Sequence, residues 1–399
     1  MIDRTSPPPA ERGIGVFLLV YALAWAGGAI AYTPFLTLLL PERVIDSVGP
    51  DLAVGWLSTL AFCGAIAASI ANIGFGMLSD RTRNRRGWAA AGLAISSVLL
   101  PLFNEVEGLW PQVALIVAWQ CGLNMMLGPL GALAGDVVPD ARKGTLGGLL
   151  SLAPALGAVS GALVTWPGIV GTDARPLVVA MLVVVCVVPV LLLPLPPRVD
   201  QGRTDAEPAD PPAEGMARHT VARMWLARLS LQVAEAALFA FLYLWLRTID
   251  PALGANRTAI VFGAVLAVSA PIALAVGRWA DRSGKPMTPL TAAATISAVG
   301  LCLMALAQGT QAAILAYALF GVASTVFLAL HSAQTFRILP RARNRGRDLG
   351  LFNLTNTMPS LVMPTLALSL VPQFGFSGLF LALASLALLS AVLVPRNVA

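Results

Sequence analysis

Apolar runs of about 20 residues recur along most of the chain and limit its fold more than any other feature. A helix of this length spans the hydrocarbon core of a bilayer, so each run is a candidate membrane span. Lipid leaves no partner for unpaired backbone groups, and the runs lack the period-two alternation of a membrane barrel. The sequence therefore predicts an all-α membrane protein with twelve transmembrane helices, at roughly 14–40, 54–79, 88–103, 109–135, 144–170, 176–195, 220–247, 257–280, 288–307, 311–336, 346–371 and 376–394.

The composition supports the same class of protein. Hydrophobic residues make up 57% of the 399 residues, charged residues only 12%, and the mean hydropathy is +0.79. A water-soluble domain of this length needs far more polar surface, so soluble folds are excluded. The net charge of +6 does not indicate a nucleic-acid partner, because the Arg clusters flank apolar runs without interleaved aromatic residues. We therefore predict contact with membrane lipid and no binding of nucleic acid.

Positive charge is distributed unevenly between alternate connecting segments. If the N-terminus is cytoplasmic, 21 of the 26 Lys and Arg residues lie in cytoplasmic segments, four lie in external segments, and Arg228 lies within a span. The positive-inside rule then predicts a multi-pass protein of the cell membrane, an inner membrane, with both termini in the cytoplasm.

A short element occurs twice, each time after an apolar run. It has a Gly, an Asp and an Arg in fixed register, and the copies lie 201 residues apart: Gly76, Asp80 and Arg81, and then Gly277, Asp281 and Arg282. Two matched apolar halves are typical of transporters that are built from parallel repeats. We predict six-helix halves at 1–195 and 220–399. They are joined by a Pro-rich, acidic cytoplasmic linker at 196–219 that cannot bury enough apolar surface to order itself.

The repeated element, placed after the second and eighth predicted spans, resembles the loop signature of the major facilitator superfamily. The resemblance covers the whole chain, since the twelve spans, the central loop and the repeat all match. It implies secondary transport by alternating access, in which two pseudo-symmetric halves rock around a site near the membrane midplane.

The same resemblance implies that the repeated element is a conformational latch on the cytoplasmic side. The two Gly residues are expected to permit close helix approach, and each Asp is expected to meet the positive end of a neighbouring helix or a nearby Arg. Asp80 would meet the eleventh span at 347–348, and Asp281 would meet the fifth span at 144–145. Solvated loop charges without a latch role are the alternative.

A second stretch narrows the family. Residues 347–360, which open the eleventh predicted span, resemble the same span of the glycoside–pentoside–hexuronide and sucrose-transporter-like branch, as do residues 33–36. This resemblance implies symport of a sugar or glycoside. Sodium coupling through paired acids is not expected, because the second span contains no carboxylate between Trp56 and Met77.

Ionisable residues inside a span are costly, so they are functional candidates by default. Glu235 is the one acid well inside a predicted span, and Arg228 and Gln232 precede it on the same helical face. A carboxyl beside a cation can take up and release a proton, so we predict that Glu235 and Arg228 provide proton coupling. A static pair that only orients helices is the alternative. His331 is a second proton-coupling candidate, with a hydrogen-bonded core histidine as its alternative.

Amide and aromatic side chains within the spans predict a substrate-binding cavity. They supply donors and acceptors for hydroxyl groups and flat faces for stacking, as a sugar-like ligand requires. Bonds that hold the helices together and anchors at the membrane interface are the alternatives for any single residue. The predicted substrate contacts are Tyr21, Trp25, Tyr32, Gln120, Asn124, Gln232, Gln334, Asn353 and Asn356.

Enzymatic and metal sites are not expected. His219 and His331 are the only histidines, and the four Cys residues show no metal-ligand spacing. Phosphate-binding and nucleophile motifs are also absent from the sequence. We therefore predict no cofactor, a small-molecule substrate, protons as the coupling ion and a monomeric transporter. The favoured function is uptake of a sugar, glycoside or similar polar solute, and proton-driven efflux of amphipathic compounds is the alternative.

Overall fold

The computed structural model describes residues 9–150, 152–194, 214–283, 287–338, 355 and 358–395. Regular structure within these ranges is helical, which confirms the predicted all-α class. A π-helical turn, Phe35–Leu39, joins the first two helices. In chain order the helices are α1 (Pro9–Pro34), α2 (Leu40–Thr82), α3 (Arg85–Leu99), α4 (Leu109–Val137), α5 (Asp140–Leu150), α6 (Ala153–Val164), α7 (Arg175–Leu192), α8 (Glu214–Ile249), α9 (Ala255–Ser283), α10 (Thr288–Leu306), α11 (Thr310–Ile338) and α12 (Pro359–Leu393).

Within the described residues, nine helical stretches are long and apolar enough to cross a membrane. The first runs for 69 residues from Ile14 to Thr82, well over the length of about 20 residues that one span requires. Gly49, with φ of 78°, breaks α2, and Gly375, with φ of 64°, breaks α12. Glycine adopts this left-handed region at low cost because it has no Cβ. The first stretch and α12 therefore each contain a turn between two lengths of apolar helix, and the number of twelve spans stays a prediction.

Contacts between Cα atoms divide the chain into two compact units. The first contains Met1–Phe35 and Cys63–Ala206, and the second contains Leu36–Phe62 and Glu207–Ala399. Most of the predicted linker at 196–219 lies outside the described residues. The division into halves at this linker stays a prediction.

In the first unit, α3 packs against α4, and α1 packs against α6 and α7. Glycine makes two of these contacts close. A Cβ at Gly92 would lie 2.4 Å from the backbone N of Met126, and one at Gly157 would lie 3.0 Å from the carbonyl O of Ala29. Small residues let helix backbones approach in this way, so the α3–α4 spacing depends on Gly92.

In the second unit, α8 and α10 both pack against α11 and α12, and α9 packs against α11. Gly300 makes the α10–α11 contact close, since a Cβ there would lie 2.7 Å from the backbone N of Phe320. The first part of α2 also belongs to this unit, where Asp46 Oδ1 lies 3.8 Å from Arg247 Nη1 of α8. The packing places α8 beside α11, the two helices that carry the predicted ionisable residues.

Candidate functional site

The contact between α8 and α11 brings the predicted ionisable residues together. Arg228 and Glu235 lie two turns apart on α8, and His331 lies on α11. The Arg228 guanidinium is close enough to interact electrostatically with both Glu235 and His331. With three further residues of the same two helices they form a polar cluster, the α8–α11 seam: Arg228, Gln232, Glu235, Tyr317, Ser324 and His331.

Glu235 is partly exposed, and its carboxyl forms a hydrogen bond with the hydroxyl of Ser324, a residue that is 1% exposed. Ser324 Oγ also lies 3.2 Å from the carbonyl O of Gly321, one turn earlier in α11. A hydroxyl has one proton to donate and two lone pairs that accept. Ser324 can therefore donate to a charged Glu235, or accept from a protonated Glu235 while it donates to Gly321.

Three other members of the seam lie near this contact. Arg228 Nε donates to Gln232 Oε1 over 3.1 Å, so Gln232, a predicted substrate contact, also positions the guanidinium. Tyr317 is 4% exposed and interacts electrostatically with Glu235. The seam therefore places a cation and a phenol near the same carboxyl.

His331 is fully buried and is hydrogen-bonded to backbone. Its Nε2 lies 2.9 Å from the carbonyl O of Met224, and its ring packs on Phe327 with centroids 5.4 Å apart. Because a carbonyl can only accept, Nε2 carries a proton and donates. This geometry favours the alternative of a hydrogen-bonded core histidine. Gln334 is 3% exposed, and its Oε1 has no hydrogen-bond partner among the described residues.

Sequence reasoning missed Tyr317 and Ser324 as members of the seam. The available signal is their spacing, because Tyr317, Ser324 and His331 follow one another at intervals of seven residues. Residues at this interval lie on one face of a helix, as Arg228 and Glu235 do on α8. A search for matched seven-residue spacing on two spans would have found both.

In the first unit, amide side chains form a hydrogen-bonded chain between α2 and α4. Asn72 Nδ2 donates to Asn124 Oδ1 over 3.2 Å, and Asn124 Nδ2 donates to the backbone O of Gln120 over 2.9 Å. Asn124 is 8% exposed, whereas Asn72 is exposed. The structure thus brings together the predicted Gln120 and Asn124 and adds Asn72, which was missed although it is a polar side chain in an apolar span.

The three predicted aromatic contacts of α1 divide into one packed residue and two half-buried ones. Tyr21 is 1% exposed, and its hydroxyl donates to the carbonyl O of Leu130 over 3.0 Å. Its ring stacks on Trp25 with centroids 6.4 Å apart. Trp25 and Tyr32 pack against a cluster of small residues that includes Ala29. Tyr21 therefore already has a hydrogen-bond partner, while Trp25 and Tyr32 keep part of their surface exposed. The predicted contacts Asn353 and Asn356 lie outside the described residues.

At the end of α2, the first copy of the repeated element joins a network of charges. Asp80 Oδ1 lies 2.5 Å from Arg85 Nη1, and Arg85 Nε lies 2.7 Å from Asp136 Oδ2. Arg85 Nη1 also donates to Ser79 Oγ over 3.0 Å. Asp80 thus has a nearby Arg partner within its own unit, whereas its predicted partner at 347–348 lies outside the described residues. Arg85 was not among the predicted site residues.

The other latch residues show little packing among the described residues. A Cβ at Gly76 would meet none of their atoms within 4 Å, and one at Gly277 would meet the Leu330 side chain at 3.4 Å. The expected reason for Gly76, close helix approach, stays a prediction, although α4 does come near this part of α2, since a Cβ at Gly128 would lie 3.5 Å from the Gly76 N. Close approach occurs at Gly128, where a Cβ would lie 2.9 Å from the Asn72 carbonyl O. Arg81 and Arg282 are exposed, and the side chain of Asp281 is outside the described part.

Comparison with known proteins identifies a family and a fold. The sequence matches the model of the Major Facilitator Superfamily over residues 15–316 and 248–397. No curated protein matches it in sequence. A bacterial homologue of the human lysosomal transporter Spinster is similar in structure in its inward-facing unoccupied and occupied conformations, each with a TM-score of 0.68 and 13% identity over 98% of this chain and 95% of that one. The nucleoside transporter NupG is similar with a TM-score of 0.68 and 15% identity over 94% of this chain and 98% of that one.

Proposed function

Because the chain belongs to the major facilitator superfamily, we propose that it is a secondary active transporter that takes up a sugar, glycoside or similar small polar solute together with protons. It is a multi-pass membrane protein, as the family and the long apolar helices indicate. The proposal places it in the cell membrane as a monomer with both termini in the cytoplasm. It also assigns the chain to the glycoside–pentoside–hexuronide or sucrose-transporter-like branch, with alternating access and no cofactor.

The observation that carries the proposal is the hydrogen bond between Glu235 and Ser324. A carboxyl that couples transport to protons must be charged in one state and neutral in another. Ser324 is buried, and a buried polar group left without a partner costs about 1–3 kcal/mol. Ser324 can satisfy both forms, because its hydroxyl either donates to the carboxylate or accepts from the protonated carboxyl while it donates to the carbonyl O of Gly321. Arg228, which donates a hydrogen bond to Gln232, interacts electrostatically with Glu235, so this interaction changes when the carboxyl gains or loses a proton.

The side chains of the first unit support a hydroxylated substrate. Asn72 is exposed and belongs to the amide chain through Asn124, so its oxygen can accept from a solute hydroxyl. Trp25 and Tyr32 offer half-buried rings for stacking against the apolar face of a sugar. Amides and rings together discriminate a polar ring-shaped solute from a purely apolar one.

The proposal also keeps the repeated element as a latch. Arg85 holds Asp80 and Asp136 at the same end of the first unit, so a helix terminus that competes for Asp80 would have to replace this ion pair. Exchange between the two partners is how the latch would open and close. Asp80→Asn is expected to slow solute flux without reducing the amount of folded protein.

Transport by purified protein in proteoliposomes tests the coupling. With the outside acidified, labelled sugars and glycosides are offered one by one, and accumulation above equilibrium is expected for at least one. Glu235→Gln should abolish this accumulation but keep counterflow exchange, because the variant binds and moves solute without exchanging a proton. Glu105→Gln, an equal change at an exposed acid outside the seam, should behave as the wild type.

The outcomes separate the proposal from its alternatives. Unaltered pH dependence in Glu235→Gln would remove that residue from the coupling mechanism. Extrusion of amphipathic compounds that is driven by a proton gradient, without flux of any sugar, would instead support the efflux alternative. The ring-lined face of α1 is the feature that such compounds would use.

A further inference from the structure

A cavity of about 630 Å³ lies in the second unit, at the C-terminal end of α8. Its wall includes Asp51 from α2, Trp245 and Thr248 from α8, and Phe376 and Ser377 from α12, next to the break in that helix. The volume falls in the range of about 300–1,000 Å³ that small-molecule sites occupy. None of these residues belongs to the seam or to the amide chain, so the proposed transport function does not account for the cavity.

The polar side chains of the wall present acceptors. Thr248 Oγ1 donates to the carbonyl O of Trp245 over 2.6 Å, and Ser377 Oγ donates to the carbonyl O of Ala305 over 2.8 Å. Both hydroxyl protons are therefore engaged, and the lone pairs remain available. The carboxylate of Asp51 can only accept, and no described residue forms an ion pair with it. Lys, Arg, His, Asn and Gln do not occur in the described wall of the cavity.

Aromatic rings form the other part of the wall and are fixed by their neighbours. Trp245 is 3% exposed and packs edge-to-face on Phe380, with centroids 4.9 Å apart. Phe376 packs on the same Phe380 at 6.1 Å and on Phe241 at 6.4 Å. The negative faces of such rings attract cations, most strongly those with a low cost of desolvation.

Helix ends of both signs lie at the cavity. Ile249, the last residue of α8, and Ala307, which follows the last residue of α10, both line it. The C-terminal end of a helix carries a partial negative charge and favours cations. The nearest cation of α8, Arg247, lies 3.8 Å from Asp46 and does not line the cavity. Because helix also restarts beside the cavity after Gly49 and Gly375, the helix ends offset one another, and the carboxylate and the rings are the features that favour a cation.

We propose that this cavity binds a small organic ammonium ion with apolar substituents. Ca²⁺ and Mg²⁺ take six or more oxygen ligands, carboxylates prominent among them, and the described wall has a single carboxylate. Leu244 and Met304 supply apolar surface for the substituents, and Phe376 and Trp245 place aromatic rings in the same wall as the carboxylate. The site is independent of the proposed uptake of a polar solute.

Calorimetric titration of the purified full-length protein tests the site without any transport step. Choline and the larger benzyltrimethylammonium are the cationic probes, and 3,3-dimethylbutan-1-ol is the neutral isostere of choline. Both cations are expected to bind, and the isostere is expected to bind at least about fivefold more weakly, as loss of the cation–π term implies. Asp51→Asn and Phe376→Leu are each expected to weaken choline binding about fivefold, through loss of the charge pair and of the ring.

Two control variants locate the ligand. Asp46→Asn changes charge by the same amount in α2 but leaves the wall intact, and it should weaken choline binding less than about twofold. Glu235→Gln should bind choline as the wild type does, because Glu235 does not line the cavity. Equal binding of the neutral isostere, no heat with either cation, or loss of choline binding in Glu235→Gln but not in Asp51→Asn or Phe376→Leu would overturn the proposal.

Discussion

The ion pair between Arg85 and Asp136 allows a quantitative test of how the first unit is held together. Arg85 is the first residue of α3, and Asp136 is the penultimate residue of α4. Each charge has the unfavourable sign for its own helix end, because helix N-termini favour anions and C-termini favour cations. Arg85 Nε and Nη2 donate to the two carboxylate oxygens of Asp136 over 2.7 and 3.3 Å, so each charge compensates the other.

The magnitude follows from this geometry. The Arg85 and Asp136 side chains are 15% and 31% exposed, so the pair should be stronger than a solvated surface pair. We estimate about 2 kcal/mol for the two charge-assisted bonds and about 0.5 kcal/mol for each charge at its own helix end. Asp136→Asn alone then destabilises by about 1.5 kcal/mol, and Arg85→Gln by about the same, because its other carboxylate partner, Asp80, is 60% exposed and adds little. The double variant also loses this ion pair, but it removes both charges from the helix ends that disfavour them, so it is destabilised by about 1 kcal/mol. If the two single losses were simply additive, the double variant would lose about 3 kcal/mol.

Thermal unfolding in detergent, followed by intrinsic fluorescence at one heating rate, measures the effect. Each single variant is expected to melt about 3–6 °C below the wild type, and the double variant about 2–4 °C below it. In 1 M salt, where the screening length is about 3 Å, the differences should shrink because the pair is partly exposed. A double variant whose loss equals the sum of the two single losses would refute the reasoning.

Two further substitutions separate packing from function. Gly92→Ala should lower the melting temperature by about 3–10 °C, because overpacking against Met126 costs about 1–3 kcal/mol, whereas Gly76→Ala, with no described atom near its Cβ, should change it by less than about 2 °C. Equal shifts in these two variants would contradict the packing described for α3 and α4. Tyr21→Phe should cost about 1 kcal/mol of stability, through loss of the bond to Leu130, and leave the KM for solute unchanged. A raised KM at unchanged melting temperature would place Tyr21 at the substrate instead.

The helical class could be predicted because lipid leaves the backbone few choices, and about 20 apolar residues already show a span. The breaks at Gly49 and Gly375 fall between predicted spans, 14–40 and 54–79 in one case and 346–371 and 376–394 in the other. Hydropathy did not show that helix continues up to each glycine, which turns the chain through a positive φ. The role of Arg85 was also hidden, because the positive-inside rule counts charges and does not show which carboxylate each one meets.

The sequence could predict those residues of the candidate site whose side chains are unusual within an apolar helix. Glu235 was found because a carboxyl in an apolar run is costly, and Gln232 because it lies on the same face. Tyr317 and Ser324 were missed, because single hydroxyl residues are unremarkable in a span until the helix beside them is known. Asn72 was missed for the same reason, since its partner lies on α4, 52 residues along the chain.

The role of a hydroxyl group in this protein depends on which acceptor it donates to. The residue type alone does not determine that acceptor. Thr248 and Ser377 donate hydrogen bonds to backbone carbonyls over 2.6 and 2.8 Å, so their remaining lone pairs can act as acceptors in the cavity and favour a cation. Ser324 lies 3.2 Å from its carbonyl, a longer and weaker contact, and it has Glu235 as a second partner. The Ser324 hydroxyl can donate to the stronger acceptor, the carboxylate, when Glu235 is charged and to the carbonyl when Glu235 is neutral, whereas the Thr248 hydroxyl, 2.6 Å from its carbonyl, has no such second acceptor among the described residues. Replacement of Ser324 by Ala should therefore impair proton-driven accumulation, while the same change at Ser377 should affect only the binding of ammonium ions.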